Sequence, residues 1–320
     1  PNRDIREAAC QYLELLARFA ISSVPNLIRT LETDSDMKVR SAAASALGGI
    51  GPATPEVIPA LIRAAAYQDA GPSSHALHAL RHFGQVSIPP LIQTLNSPDL
   101  ILRQAAPGNL SRFIEDSTFG VSVGEQIITA LKAQGAKVTV TMPPHYPDVH
   151  PLASDIISAL TRALQDEDPE VRGYAAGGLG RIGPMAIAAA PALVRAARDP
   201  AVEVRRQAIG ALNSIGAGDP ETLQVLTESL RYPDPYVRNY AAHALGDIGL
   251  PARKAVPQLT ALLKDEDAHV RANSARALRL IGAPARKAIP DLERLLNDPI
   301  GAPRDEAVEA IKTLKQIRSP

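Results

Sequence analysis

The chain has 320 residues, 45% of them hydrophobic, with 3% aromatic residues and no Trp. Its 34 Lys and Arg balance its 34 Asp and Glu, which excludes a protein whose main task is neutralising nucleic-acid phosphates. The single Cys10 excludes an intrachain disulfide and any metal site built on several thiolates, and no run of about 18 apolar residues is present to span a membrane.

With so few aromatics, Ala and Leu must supply the packing, and they recur at a fixed period. Arg6 opens a frame in which Leu13 and Leu16 follow seven and ten residues later. VPNLIRTLE (24–32) then reads as a second apolar helix, and the frame returns at Arg40 with Leu47 and Ile50. VIPALIRAA (57–65) precedes Ser73, which stands where the next Arg is expected, and IPPLIQTL (88–95) precedes Arg103. After an interruption the frame is strict, with Arg172, Arg205, Arg238, Arg271 and Arg304 at intervals of 33 residues. The apolar residues seven and ten after each anchor lie on one helix face, and APALVRAA, AVPQLTALL and AIPDLERLL supply the alternate helices. The unit is a helical hairpin of one period, and hairpins with one apolar side must stack to bury it.

The helix ends are equally periodic. Asp36, Asp99, Asp168, Asp234 and Asp267 stand four residues before an anchor, where a carboxylate caps free N–H groups. Pro169 and Pro235 fit the first turn, and Gly51, Gly84, Gly183, Gly216, Gly249 and Gly282 fit a left-handed cap past the last apolar residue. Between Arg103 and Arg172 the pattern breaks. VGEQIITALKAQ (123–134) still reads as helix, but GAKVTVTMPPHYPDVHP (135–151) combines β-branched residues with four prolines and reads as irregular, extended chain. This segment is either a connecting surface loop or a docking loop that presents His145, Tyr146 and His150.

DPEVRGYAAGGLGRIG (168–183) and DAHVRANSARALRLIG (267–282) resemble HEAT repeats of the phycobilisome-lyase type. The resemblance implies an all-α fold, one continuous α-solenoid of HEAT-like hairpins over 1–116 and 152–320 with an irregular insertion at 117–151. In this repeat class the positions two, five and nine after each anchor line the concave surface. That column holds Tyr174, Arg181, Gln207, Tyr240, His243, Asp247, Asn273 and Arg276, and a groove of Tyr, Arg and amide side chains around glycines suits a protein or peptide partner. The same positions in an earlier frame hold His75, His78 and His82, whose spacing would let imidazoles share a metal, although a metal site normally has a fuller ligand set.

The Arg column itself recurs with the fold and reads as a structural ladder to neighbouring Asp and carbonyl groups. Arg253 and Lys254, repeated as Arg286 and Lys287, read as a solvated basic ridge. No P-loop, Gly-x-Ser-x-Gly elbow or His-Glu-x-x-His is present, and no His is followed by Glu, as metal-dependent hydroxylases on similar repeats require. The expectation is a non-enzymatic scaffold without a cofactor, a subunit of a larger complex, cytoplasmic, without bulk nucleic-acid binding. The alternative implied by the repeat type is a bilin lyase, isomerase or chaperone-like subunit that takes a tetrapyrrole or its acceptor protein.

Overall fold

Capping aspartates and first-turn prolines start each anchor helix, and the glycine eleven residues after the anchor stops it. The computed structural model describes residues 2–52, 54–66, 70–115 and 149–317, all of it helix, turn or loop with no strand among the described residues. In chain order the helices are α1 Arg3–Leu16, α2 Val24–Thr33, α3 Met37–Ile50, α4 Val57–Ala66, α5 Ala70–Phe83, α6 Ile88–Thr94 and α7 Leu100–Glu115. They continue with α8 Val149–Ala163, α9 Pro169–Ile182, α10 Ala190–Ala196, α11 Val202–Ser214, α12 Pro220–Ser229, α13 Pro235–Ile248, α14 Val256–Ala261, α15 Ala268–Ile281, α16 Ile289–Leu295 and α17 Gly301–Gln316. The described residues form two compact units, 2–115 with 149–159 and 160–317. The helix expected over 123–134 and most of the extended segment at 135–151 lie outside them.

Each unit is a two-layer α-solenoid. In the second unit the anchor helices α9, α11, α13, α15 and α17 pack in series, with α10, α12, α14 and α16 as the other layer. In the first, α1, α3 and α5 pack in series, while α7 makes its main contacts with α4 and α6 rather than extending that row, and carries Pro107 inside it. The core is the periodic set: the residue before each anchor (Val39, Val171, Val204, Val237, Val270) and the leucine seven after it (Leu47, Leu179, Leu212, Leu245, Leu278) are fully buried. Burying one such side chain contributes about 1.5–3 kcal/mol. The apolar stretch Pro169–Ala196 is long enough by composition to cross a membrane. It is broken at Gly183 into α9 and α10, of 14 and 7 residues, both short of the ~20 residues a span requires.

The caps form as their residue types dictate. Asp168 accepts from the N–H groups of Glu170 and Val171, both at 3.0 Å, and Asp267 from His269 at 2.9 Å and Val270 at 3.0 Å. At the other ends all six glycines adopt positive φ, between +64° and +87°. At four of them ψ corrects the expected left-handed cap: Gly51 (ψ −178°), Gly183 (ψ −145°), Gly249 (ψ −132°) and Gly282 (ψ −134°) occupy the region of positive φ and extended ψ that only glycine enters freely. The first hairpin has Ala17 at this position, held at φ +47° and ψ −126°, a strained conformation for a residue with a Cβ. The second helix of a hairpin is shorter than its sequence suggests. The segments Gly183–Ala189, Leu250–Ala255 and Ala283–Ala288 wind as 3₁₀ turns first, and the α-helix begins at the next proline, whose missing N–H is harmless in a first turn.

The anchor arginines do form a ladder. Arg172 donates to Asp199 through Nε at 2.7 Å and Nη2 at 2.9 Å, and through Nη1 to the carbonyls of Asp166 and Glu167 in its own turn. Arg238 with Asp265 and Arg271 with Asp298 repeat this fork at 2.6–2.9 Å. Each arginine therefore ties its own turn to the next, 27 residues on. The rung at Arg205 differs, because Tyr232 stands where the aspartate would be: Arg205 stacks on the Tyr232 ring at 4.3 Å, and its neighbour Arg206 forks onto Asp234 instead. The first unit repeats the fork between Arg6 and Asp34.

This ladder sets the acid stability. The hydrogen-bonded guanidinium of Arg6 holds the Asp34 carboxyl below the usual carboxylate range, and Arg206 and Arg271 do the same for Asp234 and Asp298. A carboxylate whose pKa is lower folded than unfolded contributes stability that is complete above the unfolded value near 4 and is lost as pH falls through the folded value. Thermal midpoints should be level from pH 7 to about pH 5 and fall steeply below about pH 4. A midpoint unchanged down to pH ~3 would contradict the ladder's contribution.

Candidate functional site

Consecutive anchor helices approach closely where small residues meet. A Cβ built on Gly180 of α9 would lie 3.0 Å from Ala211 Cα of α11, and one on Gly246 of α13 would lie 2.9 Å from Ala277 Cα of α15. The equivalent position in α11, eight after the anchor, is Asn213. Its side chain occupies the seam and meets His243 of α13 at 3.2 Å, and α11 and α13 contact one another less extensively than their neighbours do. At this wide seam opens a groove of about 580 Å³, floored by Gly177, Gly180 and Gly210.

The side chains around it are mostly amides and phenols. Gln207, Asn213, Asn239 and Asn273 line it, together with Tyr236 and Tyr240, which are 58% and 43% exposed despite their size. Two of the charged groups in its lining, Arg206 and Glu203, are paired. Arg206 forks onto Asp234 and reaches Glu203, and it lies over the Tyr236 ring at 4.7 Å. Glu203 also accepts from Gln207 Nε2 at 2.8 Å. Beyond the groove, Arg276 donates to Asp247 at 2.9 Å, and Asp247 lies 3.2 Å from His243 Nδ1. A chain of contacts thus runs Asn213, His243, Asp247, Arg276 along the face. The site presents hydrogen-bonding capacity with its charges locally balanced.

Of the residues singled out in the sequence, the structure brings Arg181, Gln207, Tyr240, His243 and Asn273 to this groove. Asp247 and Arg276 join it through the chain of contacts just described. Tyr174 is half-exposed on α9 but does not line the groove. Asn213, Asn239, Arg206, Glu203 and Tyr236 were not in the expected columns. In the sequence Asn213 stands between Gly180 and Gly246 at one position of the repeat, a position that holds Arg279 in the next frame.

His75, His78 and His82 lie exposed on α5, with His75 Nδ1 2.8 Å from the Gly71 carbonyl oxygen. Among the described residues no three His, Cys, Asp or Glu are placed to hold a metal. His145 and Tyr146 lie outside the described residues, and of His150 only its place in α8 is described.

A family profile described as HEAT repeats matches residues 1–81, 157–246 and 230–312. The chain belongs to the HEAT-repeat family. The match is to HEAT repeats as a class and does not single out the phycobilisome-lyase type. No curated protein matches the sequence. Among solved structures, the chain is similar to Kap95p in its complex with RanGDP (16% identity, TM-score 0.61), covering 98% of this chain and 43% of that one. It is also similar to YibA of Escherichia coli (16% identity, TM-score 0.56), covering 99% of this chain and 98% of that one. A designed armadillo repeat protein in complex with the peptide (KR)4 has 22% identity and a TM-score of 0.52, covering 71% of this chain and 99% of that one. At these identities the likeness is one of fold. Within the HEAT frame, the anchor helix supplies every residue of the groove, and the hairpins' other helices supply none.

Proposed function

We propose that this HEAT-repeat chain is a non-enzymatic scaffold whose second unit binds an extended peptide segment of a partner protein across the α11–α13 seam. The observation that carries the reading is the gathering of four amides, Gln207, Asn213, Asn239 and Asn273, and two exposed tyrosines around one groove in which Arg206 and Glu203 are paired. Gln207 donates to Glu203, Asn273 donates to Asn239 at 2.7 Å and Asn213 meets His243, and the donor and acceptor capacity that these single bonds leave unused suits the alternating N–H and C=O groups of an extended backbone. Exposed tyrosines add contact area at low entropic cost. The solenoid neighbours that carry a peptide, (KR)4, or a protein, RanGDP, are in keeping with such a use of the fold. The groove's balanced charge favours a segment of mixed or neutral character. The tetrapyrrole alternative rests on the resemblance alone.

The test is selection of a displayed random peptide library on the wild-type protein, followed by affinity measurement on two variants. Gly210→Leu fills the groove floor at a position where a Cβ meets nothing within 4 Å, and unchanged circular dichroism checks that the variant folds. Tyr240→Ala removes an exposed wall residue. Both should weaken enriched peptides at least about tenfold, with little dependence on salt. Failure to enrich any peptide, or equal binding to Gly210→Leu, would sink the assignment.

A further inference from the structure

The other layer of the second unit carries a concavity of about 710 Å³ between α12 and the 3₁₀ turn Leu250–Ala255 that leads into α14. Its apolar surface comes from Leu223, Pro251 and Ala252, and Arg231, Arg253 and Lys254 stand on its rim. All three cations are exposed, and none makes a side-chain ion pair or hydrogen bond among the described residues. The one carboxylate in the lining, Glu228, is already engaged by Arg198 at 2.9 and 3.2 Å and by Gln224 at 2.8 Å.

The repeat explains why the charge is left over. Arg198 and Lys264 stand one period before and after Arg231. Arg198 pairs with Glu228, thirty residues on, and Lys264 lies 3.5 Å from Asp291. Asp291 follows Lys264 by twenty-seven residues, and at those two spacings after Arg231 stand Ala261 and Gln258, so the middle cation has neither of the counterions that its neighbours use. A second polar group is also left over: Gln258 Oε1, in the wall of the same concavity, is shielded from solvent and has no donor.

We propose that this outer concavity docks an acidic peptide segment of a partner protein. Carboxylates of the segment meet Arg231, Arg253 and Lys254, and an apolar side chain rests on Leu223 and Pro251. A nucleic-acid strand fits less well, because no aromatic side chain lines the concavity to stack a base. The site is separate from the groove at the α11–α13 seam, with which it shares no lining residue.

The experiment uses the full chain and a fluorescein-labelled peptide in which Glu and Asp flank one leucine, read by anisotropy at low and at physiological salt. The peptide should bind, lose affinity with salt, and weaken at least about tenfold in Arg253→Glu/Lys254→Glu and in Arg231→Glu. These side chains are exposed, and unchanged circular dichroism of the variants confirms their fold. Gly210→Leu should leave the affinity as it is, which separates this site from the groove. The proposal is overturned if the peptide does not bind at low salt, or if its Gln/Asn counterpart binds as well. It is equally overturned if Gly210→Leu rather than the charge reversals abolishes binding, or if a single-stranded RNA of equal length binds more tightly and is lost in the same variants.

Discussion

Gly246→Ala should cost the second unit about 2 kcal/mol of stability, although alanine is the better helix former. The reason is distance. The added methyl would meet Ala277 Cα at 2.9 Å and Ala277 Cβ at 3.2 Å, and the first of these is backbone that cannot turn aside. Relief requires α13 and α15 to separate, which strips contacts from the length of both helices. The same substitution at Gly210, where a Cβ meets nothing within 4 Å, should instead raise stability by up to about 1 kcal/mol. Denaturant unfolding of the two variants beside the wild type reads the difference in sign. Equal shifts in one direction would show that helix propensity, and not the seam, governs these positions.

Arg238→Ala should lower stability by about 2–3 kcal/mol, at or below the lower end of the ~3–5 kcal/mol for breaking a fully buried pair, because the turn is partly solvated. Arg238 and Asp265 are among the best shielded partners of the ladder, with side chains 9% and 7% exposed. Removing the arginine strands the Asp265 carboxylate and frees the carbonyls of Tyr232 and Pro233 that Nη1 clamps at 2.9 and 2.7 Å. Arg238→Lys should restore little, since an ammonium cannot fork onto Asp265 and reach two carbonyls at once. The comparison is Arg294→Ala, which removes an arginine with a 70% exposed side chain and should cost no more than about 0.5 kcal/mol. A urea midpoint that moves equally for Arg238→Ala and Arg294→Ala would remove the ladder as a source of stability.

The repeat made most of the fold legible before any coordinates. Asp168, Pro169, Val171, Arg172, Leu179, Ile182 and Gly183 each have one role that local chemistry dictates, and the period carries those roles to the other hairpins. The partner of the arginine fork was also periodic: Asp199, Asp265 and Asp298 follow their arginines by 27 residues. It was harder to pick out because these aspartates sit two residues before the capping position and were overshadowed by the caps. What the period concealed was the meaning of its exceptions. Tyr232 replaces a ladder aspartate and shifts the fork to Arg206. Asn213 stands where the neighbouring frames have Gly180 and Gly246, and spacing alone does not reveal that its side chain lies in the seam against His243. The direction of Tyr174, off the groove, depends on the turn of one helix against the next, which sequence spacing leaves open.

The wide seam has a consequence for cooperativity. A stack of hairpins is held by nearest-neighbour terms, so its weakest junction decides where it first divides. In the second unit the least extensive contact between successive anchor helices is α11–α13, where Asn213 stands in the seam against His243. Left empty, the unit should open there into two blocks before either block melts. A segment laid across the groove touches both sides of the junction at once, so its binding free energy adds to the smallest coupling in the stack. If the proposed segment binds there, the occupied unit should unfold as one block where the empty unit unfolds in two, a difference that calorimetry with and without an enriched peptide reads.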